Sequence, residues 1–193
     1  MSTAETQNSG PAHTSETAST WKKAVVVLLC GLLIIFLGLE GKSLWKAQQT
    51  ERRRVEVGMA GGECQFEKRV PTWLQSLVGE DFHSFMDFPV IVGVTMTGKE
   101  IGDENLAKLP ELPDLRTLDL HDSQVTSDGL ALVTRWKTIR ALDIGNTPVT
   151  DITPLAELPL LEFLQLNYSQ VRGEHLAGLS RLENLRVLGA GYI

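Results

Sequence analysis

Four stretches of this chain can be laid one beneath another. They are "IVGVTMTGKEIGDENLAKLPELPD" from Ile91, "LRTLDLHDSQVTSDGLALVTRWKT" from Leu115, "IRALDIGNTPVTDITPLAELPL" from Ile139 and "LEFLQLNYSQVRGEHLAGLSRLEN" from Leu161. A partial fifth, "LRVLGAGYI", begins at Leu185, and successive starts lie 24, 24, 22 and 24 residues apart. Each full unit has aliphatic residues at positions 1, 4 and 6, Met96 serving once, with Ile or Val at position 11 and more apolar residues in its second half. No unit of this size can bury those positions alone. Stacking in order, each unit against the next, is the solution the repeat imposes.

The opening of each unit, L-x-x-L-x-L, resembles the leucine-rich repeat. The resemblance implies an α/β solenoid, with a short parallel β-sheet on the concave side and helices or helical turns on the convex side. Parallel strands of neighbouring units would then lie about 4.8 Å apart. Asp103, Ser127 and Asp151 stand where the helical halves begin, and short polar side chains there are expected to cap free backbone N–H groups. Position 9 reads Lys99, Ser123, Thr147 and Ser169. The three hydroxyls are expected to bond the turn backbones in a ladder that Lys99 interrupts. In the 22-residue unit, Pro154 suits the first turn of a shorter helix.

The same register disposes of an apparent catalytic triad. His121, Asp122 and Ser123 are consecutive and fill positions 7, 8 and 9 of the second unit. Consecutive strand residues point to opposite faces, so these three cannot converge as nucleophile, base and orienter. Ser123 belongs to the hydroxyl ladder, and we expect no catalytic residue here.

The chain before the repeats has a different character. Residues 1–20 contain no Val, Leu, Ile or aromatic side chain, and are read as a disordered polar tail. "AVVVLLCGLLIIFLGL" then runs between Lys23 and Glu40 without a charge, flanked by Trp21, Lys22 and Lys23 on one side and Lys42, Trp45 and Lys46 on the other. Such flanks suit a membrane interface, so residues 21–45 are expected to form one transmembrane helix, an uncleaved signal anchor. "GLEGKSLWKA" offers no signal-peptidase pattern, and Leu29 before Cys30 is wrong for a lipoprotein anchor. Five Lys/Arg follow the span closely against two before it, yet a lysine pair after a short tail also begins many anchors with the opposite orientation. The side of the membrane stays open. "EGKS" at Glu40 is not a phosphate loop, since Phe36 stands where its first glycine is required.

Residues 46–70 read as a basic helical linker ("AQQTERRRVEV") and short strand, and 71–90 ("VPTWLQSLVGEDFHSFMDFPV", from Val70) as an N-terminal helical cap laying its aromatic side on the first repeat. Repeats fill 91–193. A single span, a basic stretch, a Gly-Gly turn and "PTWLQSLVGEDF" ahead of 24-residue repeats resemble a family of membrane-anchored bacterial leucine-rich repeat proteins. Cys30 and Cys64, one inside the apolar run and one outside, give no sign of a disulfide. The sequence ends just after the fifth strand, so that strand is expected to act as cap or to meet a partner, unless the gene product is truncated.

Charge divides with the architecture: net +2 to residue 70 and −8 beyond it. An acidic repeat domain repels phosphate backbones, which excludes nucleic acid as a partner. Positions 3, 5 and 7 should face outward from the concave sheet. From those columns we take Thr95, Thr117, Asp119, His121, Asp143, Phe163, Gln165 and Asn167 as the candidate binding surface. Asp119, Asp143 and His121 should be neighbours, but three such groups with no supporting shell make a poor metal site, and no metal or cofactor is expected. The function expected is a non-enzymatic module that binds a protein or peptide beside a membrane. The alternative is a structural envelope protein that forms a homo-oligomer through its repeat edge.

Overall fold

The computed structural model describes residues 45–69 and 88–192, with isolated positions 28, 38 and 41. The chain divides into two compact units, Met1–Leu44 and Trp45–Ile193. In the first, positions 28, 38 and 41 are helical; the polar tail and nearly all of the span expected over 21–45 lie outside the described residues. Among the described residues, no helix is long and apolar enough to cross a membrane.

The second unit is a leucine-rich repeat solenoid. Helix α1 (45–59) leads through a Gly61-Gly62 turn into strand β1 (Glu63–Arg69), which pairs antiparallel with β2 (Phe88–Thr95). The rest is repetitive: α2 (Asp103–Ala107), β3 (Thr117–Asp119), α3 (Ser127–Val133), β4 (Ala141–Asp143), a 3-10 helix (Thr153–Glu157), β5 (Phe163–Gln165), a second 3-10 helix (Gly173–Arg181) and β6 (Val187–Gly189). The six strands lie in one sheet in chain order, and all pairs after the first are parallel. Thr117 stands opposite Ala141, Ala141 opposite Phe163 and Phe163 opposite Val187, so equivalent positions form straight columns across the sheet.

Positions 1, 4, 6 and 11 of every full unit are buried. Leu115, Leu118, Leu120 and Val125, for example, are each 0% exposed. Burying a side chain of this size is worth about 1.5–3 kcal/mol before entropy is counted. The side chains on the sheet face opposite this core point away from the apolar interior.

Hydrogen bonding continues past the short strands. The N–H at position 6 donates to the position 5 carbonyl of the next unit, as from Leu120 to Asp143 (2.8 Å) and from Ile144 to Gln165 (3.0 Å). Position 8 donates to position 7 of the next unit, from Asp122 to Gly145 (3.0 Å), Asn146 to Asn167 (2.8 Å) and Tyr168 to Gly191 (3.0 Å). This second rung needs a left-handed backbone at position 8, with φ of 59° at Asp122, 50° at Asn146, 58° at Tyr168 and 57° at Tyr192. Asp and Asn tolerate that conformation, but a bulky aromatic residue adopts it at a cost.

Several expectations need correction. Two of the three expected cap residues, Asp103 and Ser127, brace one unit to the next instead. The carboxylate of Asp103 accepts from the N–H (2.9 Å) and hydroxyl (2.6 Å) of Thr126, and Ser127 Oγ accepts from the N–H groups of Thr150 (3.2 Å) and Asp151 (3.0 Å). Capping falls one residue earlier at α3, where Thr126 Oγ1 accepts from the N–H of Asp128 (3.2 Å). Asp151 does accept from the N–H of Thr153 (2.8 Å), and it also meets His175 Nδ1 (3.1 Å). The hydroxyls at position 9 are buried, and two of them bond the turn backbone as expected, Thr147 donating to Ile144 O (2.7 Å) and Ser123 accepting from Val125 N–H (3.4 Å). Ser169 Oγ finds no partner among the described residues, so the series stops short.

Residues 46–69 form the helix and short strand expected of them, but they pack on the repeats. Val57 and Ala60 enter the solenoid core, Thr50 Oγ1 donates to Pro89 O (3.1 Å), and Asn105 Nδ2 donates to Ala60 O (3.1 Å). Thr50, Arg53, Val57 and Ala60 lie three or four residues apart, the spacing that puts them on one helical face. The cap expected over 71–90 lies outside the described residues except for 88–90, which are strand and not helix. β1 and α1 cover this end because the first repeat strand, eight residues long, gives β1 a full-length partner.

Candidate functional site

In β3, β4 and β5 the central residue points into the core and its neighbours point out. Leu118, Leu142 and Leu164 are buried, whereas Thr117, Asp119, Ala141, Asp143, Phe163 and Gln165 face the concave side. This follows from the period of two in a strand, once position 4 is committed to the core. Two open depressions result. One is lined by Thr117, Asp119, Ala141, Asp143, Phe163, Gln165 and Val187. It is hollow because Ala141 is the smallest residue between Thr117 and Phe163. The other is lined by Asp119, His121, Asp122, Asp143, Gly145, Asn146, Gln165, Asn167 and Tyr168. They share Asp119, Asp143 and Gln165, so the surface is continuous.

Asp119 and Asp143 are register partners on adjacent strands. Each carboxylate is held by the backbone two residues on, Asp119 Oδ1 accepting from the N–H of His121 (3.1 Å) and Asp143 Oδ1 from that of Gly145 (2.8 Å). His121 Nδ1 lies 2.7 Å from Asp119 Oδ1, and its Nε2 lies 3.7 Å from Asp122. The bond to Asp119 holds the imidazole above its ordinary pKa, although its partial burial works the other way. Burial pushes the Asp143 carboxyl up, and the Gly145 N–H only partly offsets it. Ligand-type atoms of Asp119, His121 and Asp143 all come within 4.8 Å of one another.

The histidine partner is thus Asp119, two positions back on the same face. Ser123 is 0% exposed, beneath the surface and away from any substrate. A His121-Asp122-Ser123 triad does not assemble.

The eight candidate residues separate into three groups. Thr117, Asp119, His121, Asp143 and Phe163 gather in the two depressions, while Thr95, opposite Asp119, sits at the β2 end of the face. Gln165 and Asn167 also line the surface but serve the fifth unit. Gln165 lies over Gly189, where any side chain would collide with its amide, and Asn167 Oδ1 accepts from Gly191 N–H (2.6 Å).

The column that sequence reasoning missed is position 8. Asn146 Nδ2 donates to Asp122 Oδ1 (2.6 Å), and the rings of Tyr168 and Tyr192 stack with centroids 4.9 Å apart and planes 7° from parallel. Both tyrosines are exposed, at 61% and 80%. The signal was present in the aligned units: position 8 reads Gly98, Asp122 and Asn146, residues suited to a left-handed turn, and then tyrosine twice.

No protein-family model matches the chain, and no curated protein matches it. Among solved structures it is similar to an internalin (inlF) from Listeria monocytogenes, at 28% identity over 45% of this chain and 24% of that one, with a TM-score of 0.39. It is also similar to an internalin C2 from Listeria monocytogenes, at 24% identity over 56% of this chain and 58% of that one, again with a TM-score of 0.39. The chain thus spans about a quarter of the first and under two thirds of the second.

Proposed function

We propose that this chain is a membrane-anchored, non-catalytic module that holds a segment of another protein on its concave sheet. The observation that carries the reading is the pair of adjoining depressions, whose central side chains (Asp119, Asp143 and Phe163) project away from the core they are built on. A binding role also accounts for leaving Phe163, a large apolar side chain, 46% exposed on the concave face. Against a hydrolytic triad stands Ser123, which is buried and out of reach of a substrate. The anchor rests on the apolar run before Glu40 and its Trp and Lys flanks.

The test is capture from solubilised membranes with the wild-type chain, Phe163→Ala and Asp119→Lys/Asp143→Lys as parallel baits. Partners retained by wild type and lost from both variants are the expected result. Identical partner lists would remove the concave face from consideration. The side of the membrane is read by an impermeant maleimide on intact cells. Burial raises the Cys64 thiol above its ordinary pKa and slows its labelling, so the reporter belongs at Met59→Cys, a site 74% exposed, in a Cys64→Ser background.

A further inference from the structure

We propose that the segment held on the concave face presents a basic side chain, lysine or arginine, about three residues from an apolar one. The inference rests on the binding reading above and names the chemistry of the partner.

Two independent observations meet at this face. The first is charge. Asp119 and Asp143 line both depressions and Asp122 lines one of them, whereas among the described residues the single titratable base within hydrogen-bonding reach of Asp119 is His121. The lysines and arginines that form ion pairs in this unit, such as Arg116, Arg140 and Arg186, pair elsewhere, with Glu67 and Glu162. A cation brought by a partner fits this surface, and an anion does not. The second is the exposed aromatic stack. Tyrosine at a left-handed turn position costs backbone energy and contributes little to the core, yet the sequence places it there in two successive units. Tyr168 of this stack lines the acidic depression, where an aromatic ring adds attraction for a guanidinium or ammonium group.

Spacing supplies the apolar requirement. Phe163 stands one strand over and one outward position back from Asp143, with Val187 beside it. From the Asp119–Asp143 pair to Phe163 is about 10 Å, or about three residues of extended chain. A segment lying across the sheet therefore seats its base between the two aspartates while an apolar side chain covers Ala141 beside Phe163.

The proposal also sets a pH response. Protonated His121, faced by Asp119, Asp122 and Asp143, is the ligand's competitor for negative charge, so affinity for a basic segment rises as pH rises through the titration of His121.

The experiment is selection of a random dodecapeptide phage library on the full chain in neutral detergent with EDTA. Asp119→Asn/Asp143→Asn and Phe163→Ala serve as parallel baits, the first keeping side-chain shape while removing charge. The expected result is enrichment on wild type of peptides with Arg or Lys near an apolar residue. In fluorescence anisotropy their affinity should fall at least tenfold on the double asparagine variant, and fall on Phe163→Ala as well. Enrichment of neutral or acidic peptides, lost on Phe163→Ala but kept on the asparagine variant, overturns this proposal while sustaining the concave-face reading. Enrichment only when a divalent ion replaces EDTA makes the cation a metal and overturns it too. No enrichment over either variant overturns both.

Discussion

His121 shows how much of a residue's chemistry is decided by the column it stands in. Its sequence neighbours suggested a catalytic group, but the strand turns Asp119 toward it and takes Ser123 into the core. Because Asp119 stabilises the charged imidazole, the folded pKa lies above the unfolded one. The stability from this pair is therefore complete below the unfolded value and is lost as pH rises through the folded value. The side chain is 46% exposed, so solvent screening keeps the contribution small, and the titration itself is the better observable. In an NMR pH titration, His121 should titrate above an unstructured histidine, and Asp119→Asn should bring it back toward the ordinary value. Equal curves in the two proteins would mean that the Asp119 contact is not made in solution.

At the scale of elements, the sequence was legible wherever apolar spacing decided the outcome and opaque wherever a polar side chain had two possible partners. The columns at positions 1, 4, 6 and 11 told core from surface, because only one face of each strand can be buried. The concave candidates followed from the same parity. Asp103 was legible as a helix-start residue, but not that it would reach across to Thr126, since capping and bracing call for the same short acceptor. The position 8 column escaped for a related reason: hydropathy has no signature for a left-handed turn. Gly129 tests the bracing account. Alanine in place of a glycine inside a helix is normally worth about 1 kcal/mol in stability, and Gly129 is such a glycine, buried in α3. Here the added Cβ would meet the Asp103 carboxylate and Val125, displacing the brace. Gly129→Ala should therefore give no gain in urea unfolding of the otherwise wild-type chain, and a gain, held under about 1 kcal/mol by the remaining Val125 contact, when introduced into Asp103→Ala. The same gain in both backgrounds would show that Asp103 does not occupy that space.

For the whole molecule, stacking makes stability a sum of units and their interfaces, so a residue's worth depends on how many neighbours its unit has. Leu142 and Leu188 occupy the same position of different units, joined through Leu164 by successive register pairs. Leu142 has a unit on either side and is 2% exposed, whereas Leu188 has one unit beside it among the described residues and is 42% exposed. Truncating the first leaves a cavity walled on both sides, and Leu142→Ala should cost about 3 kcal/mol. Truncating the second removes a side chain already half in water, and Leu188→Ala should cost under about 1 kcal/mol. Urea unfolding of the two variants at equal protein concentration measures the contrast, and amide exchange should fade from β4 toward β6 in the same order. Comparable losses at both positions would mean that the Leu188 edge is covered in solution. The cost of Leu188→Ala would then fall on dilution if a second copy provides the cover, and stay constant if this chain's own residues do.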